Sequence, residues 1–431
     1  MIIRPAYVDM IMAYTDAPFV KILSGVRRSG KSTLLKIIAN KLHERGVSKD
    51  RILEYNFDSL EHDDLKTAKS LYDEIKSKLS SNLKTYLFFD EIQEVEDWEK
   101  AVNSFVINFD VDIYVTGSNS RMMSSEISTH LTGRYIQFRV FPLSFTEYLV
   151  FRKHQIQNNP GILNGAGDAD GYGYGCGVMN FSEFLGHFRY NEFSRYLRFG
   201  GFPAIHINEY SLDQAYTIVK DIYNSTIYTD IVKRNQIRHT DQLERIVRFV
   251  FDNIGRTFSA ASISKYFKSD NRNIDNETVY SYLKKLESAF ILYRCSRYDI
   301  KGKEILKTQE KFYLCDPAMR HCTLGYSSND ISGILENIVY LELLRRGYDV
   351  NIGQLSDGEI DFIATRLENK LYIQIAQKIE NSETEEREYG RLLNIRDNYP
   401  KYVLNADSFA GGNYEGIKTM HIADFLLSDE Y

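Results

Sequence analysis

The sequence predicts an α/β protein with a parallel sheet covered by helices on both faces, followed by helical segments and a second, smaller α/β domain. Three observations support this fold class. Residues 1–150 alternate short apolar runs with helical patterns, a glycine-rich motif separates the first strong run from the first long helical pattern, and apolar runs return after residue 333.

Five apolar runs are predicted to form the strands of the N-terminal sheet, and they cover residues 19–24, 52–57, 86–90, 112–117 and 136–140. Helical patterns separate them, which favours parallel strands joined by crossover helices. Ligands of such sheets bind at the carboxyl ends of the strands. The residues that follow these runs are therefore the first candidates for a functional site.

The glycine-rich motif at residues 25–32 reads GVRRSGKS, a complete G-x-x-x-x-G-K-[ST] phosphate-binding loop in its required strand–loop–helix setting. Backbone N–H groups close around phosphates in such a loop, and the helix N-terminus adds positive potential. Lys31 is expected to reach the β- and γ-phosphates and Ser32 to ligate Mg²⁺. The motif predicts a P-loop NTPase sheet. The residues predicted to bind the nucleotide are Gly25, Arg27, Arg28, Ser29, Gly30, Lys31, Ser32, Thr33 and Ser118, although Arg27 and Arg28 could equally be plain surface charge.

Two carboxylates end the third predicted strand, which reads TYLFFDE over residues 85–91. Asp90 is expected to hold Mg²⁺ in the Walker B role. Glu91 is expected to orient or deprotonate the attacking water, because hydrolysis needs a general base near the γ-phosphate.

Two further candidates for contact with the γ-phosphate follow. Asn119, with Ser118 close behind, ends the next strand and could report whether the phosphate is present; the alternative is a polar turn. Arg134 stands just before the strand at 136–140 and could stabilise charge during phosphoryl transfer, in cis or from a neighbouring subunit. A surface salt bridge is the alternative for Arg134.

Composition restricts the class of protein. The chain has 431 residues, a net charge of −6 and 43% hydrophobic residues, enough for two or three domains with real cores. No apolar run approaches the ~20 residues of a membrane helix, and the N-terminus lacks a signal-peptide core. Cys176, Cys295, Cys315 and Cys322 form no zinc-type spacing, so a cytoplasmic, reduced protein is expected. Any nucleic-acid contact must come from a local basic patch.

The middle of the chain begins with a change in composition. Residues 151–180 are predicted to be a flexible insertion, since seven glycines fall between 161 and 177. A glycine-rich binding loop is the alternative. Residues 181–240 are mostly helical in pattern and are predicted to form a lid or connector, with a break at FGGFP, residues 199–203.

Residues 241–320 are predicted to form a winged helix-turn-helix. Three amphipathic helical patterns precede a hairpin whose strands are 291–298 and 311–314. The third helix presents Lys284 and Lys285 on its polar face, and Lys301, Lys303 and Lys307 lie in the turn of the wing. Such a module contacts DNA or RNA phosphates, or serves equally well in protein packing or oligomerisation.

Residues 321–431 are predicted to be an α/β domain with the layout of a restriction-type nuclease core. Glu336 and Asp361 stand where such a core binds Mg²⁺. Gln374 occupies the position of a further carboxylate, and Ala376 that of the lysine, with Lys378 two residues beyond. An amide is a much poorer Mg²⁺ ligand than a carboxylate. The domain is therefore predicted to be a degenerate nuclease fold.

The assembled pattern resembles a widespread prokaryotic family of AAA+-type ATPases that pair a P-loop domain with a C-terminal domain of unknown function. The resemblance covers nearly the whole chain and rests on eight motifs. They are GVRRSGKST (25–33), FDEIQ (89–93), TGSNS (116–120), LTGRY (131–135), PLSFTEY (142–148), YLRFGGFP (196–203), EIDF (359–362) and IQIA (373–376). It implies ATP binding at Lys31 and Ser32, Walker B roles for Asp90 and Glu91, a sensor at Ser118 or Asn119, and a winged helix with a nuclease-like domain.

The sequence therefore predicts an ATPase of the AAA+ class, with Mg²⁺-dependent hydrolysis that drives a conformational switch. In this hypothesis Lys31, Glu91, Asn119 and Arg134 serve catalysis, while Ser32 and Asp90 hold Mg²⁺. The partners expected are ATP, DNA or RNA through the winged helix, and other copies of the chain, with no membrane. Two alternatives remain: an ATP-gated nuclease that uses Glu336 and Asp361, and a nucleotide-dependent scaffold without significant turnover.

Overall fold

A computed structural model describes residues 2–79, 83–118, 131, 133–158, 181–269, 273–302, 304–328, 330–356, 358–379, 382–407 and 411–429. The chain divides into two compact units. The first comprises residues 1–142 with 288–290, and the second comprises residues 143–287 with 291–431. The glycine-rich stretch at 161–177, Asn119 and Lys303 lie outside the described residues.

The first unit contains a five-stranded parallel sheet in the order β2-β3-β4-β1-β5. Its strands are β1 (Val20–Ser24), β2 (Ile52–Asn56), β3 (Thr85–Asp90), β4 (Val111–Gly117) and β5 (Tyr135–Arg139). All five match predicted runs within one residue at each end, and the predicted parallel sheet is confirmed. Because β4 lies between β1 and β3, the ends of these three strands are neighbours.

Helices cover both faces of this sheet, and they are α1 (Pro5–Met12), α2 (Lys31–Glu44), α3 (Ala68–Lys78) and α4 (Trp98–Asn108). Side chains alternate between the faces along each strand. Phe89 joins the core formed with α3 and α4, whereas its neighbour Phe88 joins the core formed with α1 and α2. A sheet buried on both faces explains why these strands are apolar throughout.

One buried ion pair interrupts this apolar core. Lys21 of β1 contacts the carboxylate of Asp112 on β4, and both side chains are at most 1% exposed. Tyr114 donates a hydrogen bond to the same carboxylate at 3.0 Å. Burial lowers the pKa of Lys21, and Asp112 opposes that effect. The pair is located toward the amino ends of the strands, at the edge of the sheet away from the phosphate-binding loop.

The second unit begins with helices. They are α5 (Phe145–Asn158), α6 (Phe181–Phe199), α7 (Leu212–Ser225) followed by a π-helical turn (Thr226–Lys233), α8 (Thr240–Asp252), α9 (Ala260–Ser269), α10 (Asn276–Ser288) and α11 (Pro317–Leu324). The first continues to Asn158 and so covers the start of the segment 151–180 that was predicted to be a flexible insertion, whereas the segment 181–240 is mostly helical as predicted.

At the FGGFP break after α6, the backbone at Gly201 packs closely against the backbone of Leu143. Gly200 has φ of +72°, and a Cβ on Gly201 would lie 2.4 Å from the Leu143 carbonyl oxygen. Asp316 accepts a hydrogen bond from Gly201 N at 2.6 Å and another from Ala318 N at 2.8 Å, so it also caps α11. Burial raises the pKa of this carboxyl to about 7, although both N–H donors oppose the shift.

The second unit ends in an eight-stranded mixed sheet in the order β12-β13-β11-β10-β9-β8-β6-β7. Its strands are β6 (Leu292–Asp299), β7 (Glu304–Leu314), β8 (Asp349–Leu355), β9 (Gly358–Arg366), β10 (Asn369–Ala376), β11 (Lys401–Asn405), β12 (Gly411–Tyr414) and β13 (Ile417–His421). The accompanying helices are α12 (Ser332–Arg345), α13 (Ser382–Leu393) and α14 (Ile422–Leu427).

The hairpin predicted as the wing, β6–β7, is part of this sheet. Strand β6 pairs in parallel with β8, with Arg297 opposite Ile352. A boundary at residue 320 therefore cuts across a continuous hydrogen-bonded sheet, which local sequence patterns cannot reveal because strand pairing is non-local.

Across the described ranges, none of the helices combines the length and the apolar character needed to cross a bilayer.

We expect Asp112→Ala to lower the free energy of unfolding of the first unit by about 3–5 kcal/mol, because Lys21 would be left as an uncompensated buried charge. Trp98, the chain's only tryptophan, lies in α4 and reports on this unit during urea unfolding. Asp110→Ala is the matched control, since Asp110 is 72% exposed in a loose 3.6 Å pair with Lys84 and should change stability by less than about 1 kcal/mol. Equal effects of the two substitutions would contradict the assigned role of the pair.

Candidate functional site

The phosphate-binding loop joins β1 to α2, and its backbone has conformations that suit glycine. Gly25 has φ of +155°, and a Cβ there would lie only 2.2 Å from the Val140 carbonyl oxygen. Gly30 has φ of +100° and directly precedes α2, whose first residue is Lys31. Lys31 Nζ donates to the carbonyl oxygens of Gly25 (2.9 Å) and Val26 (3.0 Å). The ammonium is thus held against the loop, at the positive end of a 14-residue helix.

A chain of hydrogen bonds joins this loop to the end of β3. The Ser32 hydroxyl donates to Asp90 Oδ1 at 2.9 Å, and the Thr116 hydroxyl donates to the same oxygen at 2.5 Å. Thr116 in turn accepts a hydrogen bond from Glu91 N at 2.9 Å. Burial raises the pKa of Asp90, and the hydrogen bonds from Thr116 and Ser32 oppose this. A cation beside Asp90 would favour its charged form.

Glu91 follows β3 in a left-handed conformation with φ of +53°. Its side chain is only 9% exposed, and Gln93 Nε2 donates a hydrogen bond to Glu91 Oε2. A left-handed backbone is unusual for a residue other than glycine, and such strain often occurs at functional sites. Gln93 therefore fixes the direction of a carboxylate whose backbone is fixed by Thr116.

Thr116 and Gln93 are absent from the sequence prediction, which favoured Asn119 and Ser118 after the same strand. Asn119 lies outside the described residues. Ser118 is fully buried directly after β4. Thr116 could have been suspected, because its strand neighbours β3 and the register pairs Phe89 with Val115, which places Thr116 beside Asp90.

The remaining predicted loop residues differ in exposure. Arg27 is half-buried, whereas Arg28 and Thr33 are exposed, and Arg28 has φ of +64°. Ser29 is fully buried, and its hydroxyl has no hydrogen-bond partner within the described part of the chain.

Arg134 does not share the phosphate edge of its own sheet. Its carbonyl oxygen accepts a hydrogen bond from Val20 N at 2.9 Å, at the start of β1. The phosphate-binding loop follows Ser24 at the other end of that strand, about 13 Å away at the rise of a β-strand. A residue that precedes a strand lies at the opposite edge of the sheet from a residue that follows one, so Arg134 lies at the edge away from the loop of its own chain.

Arg139 is the arginine of β5 at the phosphate edge. The parallel register pairs it with Ser24, the last residue of β1. Gln137 lies two residues earlier on the same face of β5, and it donates to Ser24 Oγ at 2.9 Å. Side chains on this face of β5 therefore reach the end of β1. The strand direction of β5 was the signal that could have selected Arg139.

A clamp from the N-terminus supports the loop from outside. Arg4 donates to the carbonyl oxygens of Ser29 (2.8 Å) and Phe141 (3.0 Å), and it is only 4% exposed. Its guanidinium lies 4.5 Å from the Tyr7 ring centroid, and the Tyr7 hydroxyl accepts a hydrogen bond from Phe141 N at 3.0 Å. Arg4 thereby ties the phosphate-binding loop to the chain that leaves β5.

A second cluster gathers the carboxylates predicted for a nuclease core. Glu336 of α12 and Asp361 of β9 lie on either side of the Lys311 ammonium, at 3.0 and 3.5 Å. Burial lowers the pKa of Lys311, but the two carboxylates outweigh it and leave that pKa above its ordinary value. Lys378 does not join this cluster, because β10 ends at Ala376 and Lys378 is exposed beyond it.

Known proteins resemble this chain along nearly its whole length. An uncharacterized protein of Haemophilus influenzae is 35% identical over 429 residues, which are 99% of each chain. An uncharacterized protein of Methanocaldococcus jannaschii is 30% identical over 381 residues, covering 87% of this chain and 78% of the relative. Residues 18–149 match the family described as an AAA domain. This chain belongs to the same family as these relatives and contains an AAA-type P-loop ATPase domain.

The AAA domain thus coincides with the five-stranded sheet and the phosphate-binding loop. Residues 190–330 match a domain of unknown function, DUF8612. That match ends between α11 and α12, so it includes β6 and β7 but none of the other strands of the eight-stranded sheet.

Solved structures also share similarity with this chain. A Walker-type ATPase of Pyrococcus abyssi aligns with 75% of this chain and 95% of its own, at 15% identity and a TM-score of 0.49. The Aeropyrum pernix ORC1 protein in complex with DNA aligns with 75% of this chain and 92% of its own, at 12% identity and a TM-score of 0.33. Similarity of this strength says nothing about a shared function.

We expect Arg4→Ala to weaken nucleotide binding by the AAA domain about tenfold, equivalent to about 1.4 kcal/mol, because the Ser29 carbonyl would lose its anchor. Titration with a fluorescent ATP analogue measures the Kd. Arg45→Ala, an exposed arginine just after α2, is the matched control and should leave Kd unchanged. An unchanged Kd for Arg4→Ala would show that Arg4 does not hold the phosphate-binding loop in its nucleotide-binding conformation.

Proposed function

We propose that this protein hydrolyses ATP with Mg²⁺ and uses the hydrolysis to drive a conformational switch. The observation that carries the proposal is the hydrogen-bonded series Ser32–Asp90–Thr116–Glu91 beside the Lys31 ammonium. It joins the phosphate-binding loop, a carboxylate for a cation and a candidate general base at the ends of three adjacent strands. An AAA domain over residues 18–149 supports the same conclusion.

The residues present fit Mg²⁺ bound together with ATP. Ser32 and Asp90 offer hard oxygen donors within 2.9 Å of each other, the kind of ligands that Mg²⁺ takes beside phosphates. In this proposal Ser32 and Asp90 hold the cation, whose role when bound is to neutralise charge on the β- and γ-phosphates.

The protein's own groups then perform the remaining steps. Lys31 and the loop N–H groups bind the phosphates, and the glycines at 25 and 30 leave room for this approach. Glu91 accepts a proton from the water that attacks the γ-phosphate, with the proton ending on a carboxylate oxygen. Because Gln93 holds Glu91 Oε2, a change at Gln93 would alter the direction of the base and the rate of turnover.

We expect Glu91→Gln to lower kcat by about 10²–10⁴-fold, because an amide cannot accept the proton, while nucleotide binding persists. Release of inorganic phosphate measures turnover, and the fluorescent-analogue titration measures binding. Glu94→Gln is the matched control, because Glu94 is an exposed carboxylate three residues further on and should retain wild-type turnover. Wild-type turnover by Glu91→Gln would eliminate Glu91 as the base.

The same assay, repeated with single- and double-stranded DNA and RNA, separates the remaining alternatives. Stimulation by nucleic acid supports a switch that acts on it. Tight nucleotide binding without turnover under any condition would instead support a scaffold.

We propose that Arg139 provides the cis guanidinium at the phosphate edge, and that Arg134 can act only on the site of a neighbouring copy. Arg139→Ala should lower kcat at least about tenfold in dilute monomer, whereas Arg134→Ala should leave it unchanged. Phosphate release at several protein concentrations tests both. A loss confined to Arg134→Ala in the monomer would reverse the assignment.

We further propose that α8, α9 and α10 with the β6–β7 hairpin form a winged helix that contacts nucleic acid. Phe258, in the segment before α9, exchanges backbone hydrogen bonds with Glu310 of β7 at 3.1 and 3.3 Å, as the short strand of such a module would. Lys284 on α10 is exposed and available to a phosphate, whereas Lys285 donates to Ser281 Oγ at 3.0 Å within its own helix.

A further inference from the structure

The space between the buried carboxylates Glu336 and Asp361 of the second unit is occupied by the Lys311 ammonium. Lys311 Nζ donates to Glu336 Oε2 at 3.0 Å and lies 3.5 Å from Asp361 Oδ1. The Tyr313 hydroxyl donates to the same Glu336 oxygen at 2.8 Å. The other Asp361 oxygen, Oδ2, accepts the Ile375 backbone N–H at 2.8 Å. Glu336, Asp361 and Lys311 are each at most 8% exposed.

Gln374, at the remaining ligand position of a nuclease-type metal site, is already engaged in a hydrogen bond. Gln374 stands where a further carboxylate would be wanted, and its side-chain oxygen accepts the Asp361 backbone N–H at 3.3 Å. Mg²⁺ demands near-octahedral oxygen ligands and usually retains several waters. A buried site with two carboxylates, one engaged amide and an ammonium between the carboxylates does not fit that requirement.

The position of Lys311 follows from the sheet rather than from its neighbours in sequence. Lys311 lies on β7, at the edge of the eight-stranded sheet, and Glu336 and Tyr313 meet through the packing of α12 against that strand. Arg297 of β6 lies 3.4 Å from Glu359, so the next carboxylate on β9 has its own cation. Lys311 is therefore the cation within contact of Glu336 and Asp361 in the described part of the cluster.

We propose that the Lys311 ammonium takes the place of a divalent cation between Glu336 and Asp361, so that this core is a latent metal site closed by a residue of the chain itself. The occupant is covalently attached and carries one positive charge, while a hydroxyl and a backbone N–H donate further hydrogen bonds to the two buried carboxylates. Replacing Lys311 by a small neutral residue would vacate the position between Glu336 and Asp361, and Mn²⁺ or Mg²⁺ would then bind there. This inference is independent of the ATPase.

Calorimetric titration of the whole 431-residue protein with Mn²⁺, in the absence of nucleotide, tests the proposal. All variants carry Asp90→Asn, which removes the candidate cation ligand of the AAA domain. In the Asp90→Asn background we expect no saturable Mn²⁺ site at Glu336. Adding Glu336→Gln should therefore leave Mn²⁺ binding unchanged. Adding Lys311→Ala should create one site at least tenfold tighter than any residual binding, and further addition of Asp361→Asn should abolish it.

Lys301→Ala is the matched control, because Lys301 lies exposed in the turn of the same hairpin and contacts Ser356 Oγ at 3.1 Å. It should create no Mn²⁺ site. A site in the Asp90→Asn background that disappears with Glu336→Gln would overturn the proposal, since metal and lysine would then coexist. A folded Lys311→Ala protein without a new site would overturn it as well. If Lys311→Ala fails to fold, the comparison with Glu336→Gln still decides the matter.

Discussion

The site of the AAA domain depends on one topological constraint, which is that β4 lies between β1 and β3. The end of β4 therefore lies beside the two polar groups at the end of β3. Thr116 satisfies both with a single hydroxyl, which donates to Asp90 and accepts from Glu91 N. A hydroxyl can donate and accept at once, whereas an aliphatic side chain of similar size would leave a buried carboxylate and N–H with fewer partners.

The same edge is stabilised from outside the sheet by the N-terminal segment. Arg4 binds two carbonyl oxygens that are far apart in sequence, one in the phosphate-binding loop and one after β5. A planar guanidinium can bridge such acceptors because its N–H groups diverge in a fixed plane. The loop is thus held by β1 and α2 through the chain, and by Arg4 through side-chain hydrogen bonds.

The second unit solves an electrostatic problem with a different strand arrangement. Glu336 of α12 and Asp361 of β9 are buried where that helix packs on the eight-stranded sheet, and the hairpin β6–β7 at the edge of this sheet supplies Lys311 and Tyr313 to them. Isolated carboxylates at this depth would be costly, since burial without a partner disfavours the charged form. The hairpin therefore contributes both hydrogen bonding to the sheet and the countercharge of its interior.

The sequence by itself determined the first sheet and the identity of its loop. The five strands and the residues Gly25–Ser32, Asp90 and Glu91 were predictable because apolar runs and a phosphate-binding motif are local signals. Tertiary structure alone decided which residues join them. The direction of β5 places Arg134 at the edge of the sheet away from the phosphate-binding loop and Arg139 at the edge beside that loop. Long-range packing brought Arg4 to Ser29 and Lys311 to Glu336 across 25 positions in each case. The spacing of residues along the chain does not predict such contacts, because strand order and helix packing determine them only in the folded protein.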